Sequence, residues 1–191
     1  MQRTAFVIAV LGLSFAAPLA AQTRPDPASL LAGQRQAMTA FARMDGVWRG
    51  PAWTITPTGR HEVTQTERIG TFLNGTVRVI EGRGYNADGT VGFNALGIVS
   101  FHADTNSYTL SSWAQGYGGV FPFRPTADGY EWEVPAGPGA TIRYAATVTA
   151  NTLVERGFMH RGDAPPVQVF EMNLRRIGTT DWPSAGAVPM H

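Results

Sequence analysis

Beyond Gly46 the chain is cut into short strand-like runs by turn formers that sit too close together to leave room for a parallel crossover. The separators are Pro57-Thr58-Gly59, Leu73-Asn74-Gly75, Asn86-Ala87-Asp88-Gly89, Ala103-Asp104-Thr105-Asn106, Thr126-Ala127-Asp128-Gly129, Gly137-Pro138-Gly139, Ala150-Asn151 and Gly162-Asp163-Ala164-Pro165. Between them lie Val47–Thr56, His61–Thr71, Thr76–Tyr85, Phe93–His102, Ser107–Gln115, Val120–Phe123, Gly129–Val134, Thr141–Thr149, Thr152–His160 and Val167–Ile177. A parallel connection takes a dozen or more residues, so strands joined this tightly run antiparallel to their neighbours. About ten of them in chain order predict an all-β fold, an up-and-down antiparallel barrel over 45–177.

Alternation within the runs indicates how the sheet is used. Phe93, Ala95, Gly97, Val99 and Phe101 share one face, as do Tyr130, Trp132 and Val134, and as do Ile142, Tyr144, Ala146 and Val148. Glu131, Glu133 and Arg143 fall on the opposite faces. One apolar and one charged face predict a closed barrel whose outer wall meets water; a membrane barrel would turn its apolar side chains outward.

Ahead of the strands, Asp26-Pro27 reads as an N-cap followed by proline at the first helical position. Leu30, Ala37, Met38 and Phe41, with Leu31 and Met44 beside them, recur at helical spacing. One amphipathic helix within 22–44 is expected, either as a lid over a cavity or as a permanent plug in one barrel end. The segment 178–191 carries two prolines and little apolar pattern, and reads as a C-terminal surface extension.

Residues 1–21 have another character: Gln2-Arg3, an apolar run Ala5–Ala17, then Pro18 and the small residues Ala20-Ala21. That pattern predicts a secretory signal peptide, too short for a membrane span, and a periplasmic or secreted protein. The chain has no cysteine, which excludes disulfides, a thiolate nucleophile and a lipidated cysteine anchor. All 15 basic residues are arginine, so no lysine can form a Schiff base. Loss of Arg3 with the leader leaves 14 arginines against 14 acidic residues, without the basic surplus that a nucleic-acid partner requires.

The helix, the Gly46-Val47-Trp48-Arg49-Gly50 segment and the meander together resemble the calycins, the group that joins lipocalins and fatty-acid-binding proteins. The resemblance makes Gly46, Trp48 and Gly50 structural anchors of the first strand. It also implies that a basic residue of Arg175-Arg176, taken here as Arg175, packs over the tryptophan. More narrowly, several features resemble the bacterial family called domain of unknown function fifteen-seventy-nine. These are Met44–Gly50, Glu81-Gly82-Arg83-Gly84-Tyr85 with Asp88-Gly89, Leu96-Gly97 followed by Tyr108, and Ser112-Trp113 with glycines after it. Membership implies an exported lipocalin-like barrel and no particular activity. The nitrobindin-like haem proteins share Gly-x-Trp-x-Gly but hold iron through a histidine on the last strand. Val167–Arg176 contains none, so no cofactor is expected.

Three groups are candidates for chemistry. Val77, Val79, Glu81, Arg83 and Tyr85 share parity and run from apolar to charged, so Glu81, Arg83 and Tyr85 either line a cavity near its mouth or form a surface network. Trp113, Tyr117, Phe121 and Phe123, with Gly116, Gly118 and Gly119 among them, form either a ligand-gripping portal or a strand bend that fills the barrel. Glu155 can face Glu171 or an arginine, and Arg156 and His160 lie on the other parity. His61, His102 and His160 show no metal-ligand spacing, so no metal site is expected. The leading functional expectation is an exported barrel that binds a small, mainly apolar or amphipathic molecule through Glu81, Arg83, Tyr85, Trp113, Tyr117 and Phe121. The alternatives are an isomerase, cyclase or hydrolase using Glu81, Arg83 or Glu155, and an envelope barrel that is filled solid.

Overall fold

The computed structural model describes residues 26–182; the expected leader 1–21 and most of the C-terminal extension lie outside the described residues. Ten strands follow one helical segment: β1 (Gly46–Thr56), β2 (Gly59–Phe72), β3 (Val77–Tyr85), β4 (Val91–His102), β5 (Ser107–Ala114), β6 (Tyr117–Pro125), β7 (Gly129–Pro135), β8 (Ala140–Val148), β9 (Thr152–Arg161) and β10 (Val167–Gly178). Each pairs antiparallel with its neighbours in sequence, and β1 pairs with β10, which closes the barrel. This closed meander is consistent with a calycin-like fold.

Register fixes which side chains point inward. Phe93 to Phe101 on β4, Tyr130 to Val134 on β7 and Ile142 to Val148 on β8 do so on alternate residues, as their periodicity predicts. The outer wall carries ion pairs between Arg60 and Glu62, Arg124 and Glu131, Arg143 and Glu133, and Arg156 and Glu171. A wall dressed in this way faces water. Among the described residues no helix is long and apolar enough to cross a membrane.

The helical segment plugs one barrel end. Asp26 caps α1 (Pro27–Met38) by accepting from the amides of Ala28 and Ser29 at 3.4 and 3.2 Å. The single helix expected through Met44 tightens after Met38 into a 3-10 turn over Thr39–Met44. Only its last part is buried: Met38, Phe41 and Met44 enter the core, whereas Leu30 and Leu31 remain exposed. Phe41 meets Tyr108 edge-on at 5.2 Å and tilts against Phe123 at 5.1 Å, and the Tyr108 hydroxyl donates to the Ala37 carbonyl at 3.2 Å. The segment is thus held as a plug.

Trp48 lies at the same end, fully buried, and its indole N–H donates to the Met44 carbonyl at 2.9 Å. Removing such a ring from water contributes about 4–6 kcal/mol as an upper bound. The guanidinium that covers it, 3.9 Å from the ring centroid, belongs to Arg176 and not to Arg175. The register explains the correction: Arg176 lies opposite Trp48, whereas Arg175 lies opposite Arg49 on the outer face. Arg176 also donates to the Asp45, Arg43 and Ala150 carbonyls. At Gly46, with φ at +146°, a Cβ would run into the Arg176 guanidinium; at Gly50 it would run into the Asn173 carbonyl of β10. Beneath them Arg78, almost wholly buried, forks onto both Asp45 oxygens at 2.6 and 2.9 Å and donates to the Met38 carbonyl at 2.8 Å.

Beyond β10 the chain folds back against the outer face of β2. Trp182 meets Phe72 edge-on at 5.3 Å, and Asp181 lies 3.6 Å from Arg68.

Candidate functional site

The barrel is not filled solid. Above the plug a cavity of about 460 Å³ extends toward the opposite end, where His61, Gly92 and Gln115 stand near the hairpin turns. Its wall is largely apolar and aromatic. Trp132 stacks on Tyr144 at 4.3 Å and 13°, Tyr144 meets Phe170 edge-on at 5.6 Å, and Phe123 stacks on Tyr130 at 5.0 Å. Gly157 provides the space for the Tyr144 ring, since a Cβ there would stand 2.7 Å from it. β6 pairs with β7 only from Phe123 to Pro125, so toward the mouth the two strands are not hydrogen-bonded to one another.

Two carboxyl groups lie deep in this cavity. Glu67 on β2 accepts from the Gln65 side-chain amide at 2.8 Å through Oε1; among the described residues its buried Oε2 has no partner. The hollow that receives it exists because β3 presents glycines inward: a Cβ on Gly82 would lie 2.8 and 3.0 Å from the two carboxyl oxygens, and one on Gly84 would lie 3.0 Å from Gln65 Oε1. Glu155 on β9 is fully engaged, accepting from the Tyr130 hydroxyl at 2.5 Å and from the Trp132 indole N–H at 3.1 Å. Both side chains are among those that line the cavity, and among the described residues the wall holds no arginine.

Electrostatics follow from this enclosure. Burial pushes the Glu67 carboxyl from its ordinary 4.5 up to about 8; the Gln65 hydrogen bond works against the rise, and the charges of Glu155 and Glu81 add to it. Glu67 therefore keeps its proton at neutral pH. Burial also raises Glu155, while its hydrogen bonds from Tyr130 and Trp132 hold the rise back. Tyr144 is pushed up to about 12, chiefly by burial and then by the charge of Glu155. The cavity thus offers a neutral acid with one unused oxygen and, separately, a carboxyl already provided with two donors.

The residues singled out from the sequence are scattered relative to this cavity. Register pairs Gly82 with Glu67, so Ile80, Gly82 and Gly84 point inward and Glu81, Arg83 and Tyr85 point outward, reversing the cavity-lining expectation for β3. Glu81 and Arg83 form a surface ion pair at 2.6 Å. Trp113 lies on the outer face of β5, half exposed, and Tyr117 at the mouth end of β6 is 84% exposed. Phe121 shares the inward parity and stands 6.1 Å from Trp132, beside the unpaired stretch of β6. Glu155 does not meet Glu171, which is on the outer face of β10 and accepts from Arg156 at 2.8 Å.

Sequence reasoning passed over Gln65 and Glu67. Their strand reads His61-Glu62-Val63-Thr64-Gln65-Thr66-Glu67-Arg68, polar on both parities, so neither face declares itself. The signal available was indirect: a strand with two inward glycines needs a neighbour with long side chains to fill the space. Among the described residues no group of three or more histidine, cysteine, aspartate or glutamate side chains is placed to hold a metal ion. No protein-family model matches the chain, and a search of curated proteins returns no match.

Proposed function

We propose that this protein is an exported small-molecule-binding barrel whose ligand is mainly apolar, enters between β6 and β7 or through the mouth, and carries one polar end to Glu67. The observation that carries the reading is a cavity of about 460 Å³ with a stacked aromatic wall and a single unsatisfied carboxyl oxygen at depth. Small-molecule sites of roughly 300–1,000 Å³ are commonly built this way, apolar with a few convergent polar groups. A barrel whose task was structural would gain stability by filling that space, because unfilled volume costs contacts. The signal-peptide pattern of 1–21 supports a periplasmic or secreted location. Motif order alone supports placement in the bacterial domain of unknown function fifteen-seventy-nine family.

The test is a titration with a panel of lipophiles followed by tryptophan fluorescence. Trp132 lines the cavity, so saturable quenching by at least one class is expected. An unchanged emission across the panel, with no competition against a bound reporter dye, overturns the proposal.

A second reading uses the same groups. A carboxyl that holds its proton at neutral pH, in an apolar cavity that also contains a second carboxyl, is suited to proton transfer in an isomerase or cyclase. Turnover that survives in Glu67→Gln excludes Glu67 from that role.

A further inference from the structure

The cavity has a charge pattern that selects the polar end of its occupant. Glu67 is 8% exposed, lines the cavity and leaves Oε2 unpartnered, and Glu155 is a second buried acid in the same enclosure. No arginine among the described residues reaches the wall, and the chain has no lysine. Arg78, the buried arginine nearest in character, is already spent on Asp45 and the Met38 carbonyl. Two acids in a low-dielectric space with no cation of their own leave a positive charge to be supplied from outside. The wall suits that charge as well, since Trp132, Tyr130 and Tyr144 line the cavity with aromatic rings of the kind that attract organic cations.

We propose that the ligand is a lipophilic amine, its ammonium group received by Glu67 Oε2 with Glu155 as the second negative group and its apolar body against the Trp132–Tyr144–Phe170 wall. This rests on the binding reading above and narrows it. A fatty carboxylate is disfavoured by the same geometry, because it would add a third acid to an enclosure that already holds two. Seating the ammonium requires Glu67 to ionise: its O–H bond breaks, the electron pair stays on the carboxylate, and the proton leaves to solvent. The titratable groups around Glu67 are Glu155 on β9, Tyr130 on β7, Tyr144 on β8, His61 farther along β2 and Glu81 on the outer side of β3; the inward residues of β1 opposite, Trp48 and Ala52, do not titrate.

The experiment compares phenylbutylamine, phenylbutanol and phenylbutyrate, equal in apolar body, by calorimetry on the full mature protein. The amine should bind at least about tenfold tighter than the alcohol, and the carboxylate should be weakest. Repeating the titration in buffers of different ionisation enthalpy should show release of about one proton per amine near pH 7, falling toward zero near pH 9. In Glu67→Gln, checked for native near-ultraviolet dichroism, the amine-to-alcohol ratio should collapse toward one. In Glu131→Gln, on the outer wall, it should stay as in the parent. Equal binding of amine and alcohol, tighter binding of the carboxylate, or a ratio that survives Glu67→Gln overturns the amine assignment and leaves the binding reading standing. Failure of all three to bind, together with a silent lipophile panel, removes both.

Discussion

Replacing Glu67 by glutamine should stabilise the empty barrel, and by an amount that depends on pH in a specified way. In the unfolded chain the carboxyl titrates near its ordinary 4.5; in the barrel burial moves it to about 8. Between those values the folded state holds a proton that the unfolded state has released, so stability falls as pH rises, by about 1.4 kcal/mol per pH unit. The loss reaches about 3 kcal/mol near pH 7 and levels off at about 5 kcal/mol above pH 8. Glutamine keeps an oxygen for the Gln65 amide and never ionises, so the variant lacks this slope. Parent and variant should therefore match near pH 4 and diverge steadily to pH 8. For a domain of this size 3 kcal/mol corresponds to a rise of about 6–12 °C in melting temperature near pH 7. Urea unfolding of both proteins at stepped pH measures the gap directly. A variant less stable than the parent at pH 7, or a gap that stays constant with pH, refutes the claim that a buried, proton-holding acid sits at Glu67. A residue kept at such a cost to stability is one whose value lies in function.

Three further substitutions test the geometry of the barrel. Gly82→Ala places a methyl 2.8–3.0 Å from the Glu67 oxygens, so it should cost about 1–3 kcal/mol in urea unfolding and should be non-additive with Glu67→Gln; simple additivity would mean that Gly82 is not what accommodates the carboxyl. Arg176→Ala removes the guanidinium over Trp48 and its three carbonyl contacts and should lose about 2–3 kcal/mol, whereas Arg175→Ala on the outer face should stay within about 0.5 kcal/mol. Equal effects in chemical denaturation would reject the assigned register at the barrel seam.

The wall was legible in the sequence because its information is local. A residue's face in β4, β7 or β8 follows from alternation, and Asp26, Gly46 and Trp48 each announce a cap, a turn or a large buried ring within a few residues. The interior chemistry was not legible in that way. The inward face of β3 is decided by which of its residues stands opposite Glu67, a fact set by the closure of ten strands. Read alone, Val77, Val79 and Tyr85 draw attention to the wrong face, because glycines at 82 and 84 leave the mouth half of the inward face without side chains to advertise it. Glu155 was recognisable as a charge sharing its parity with Leu153, Gly157 and Met159, yet its partners Tyr130 and Trp132 come from a strand more than twenty residues earlier. The buried face of the helical segment is shorter than its apolar period for a related reason: Leu30 and Leu31 fit that period but stay exposed, while Met38 and Phe41 enter the core.

The claim on which the rest depends is that the space above the plug is an occupied binding site. Native mass spectrometry of the protein isolated from its native host, under conditions that keep complexes intact, tests it most directly. A retained species of a few hundred daltons that is released on unfolding, and whose retention falls in Glu67→Gln, is the expected result. A single mass equal to the protein alone, unchanged after exposure to the lipophile panel, would contradict it.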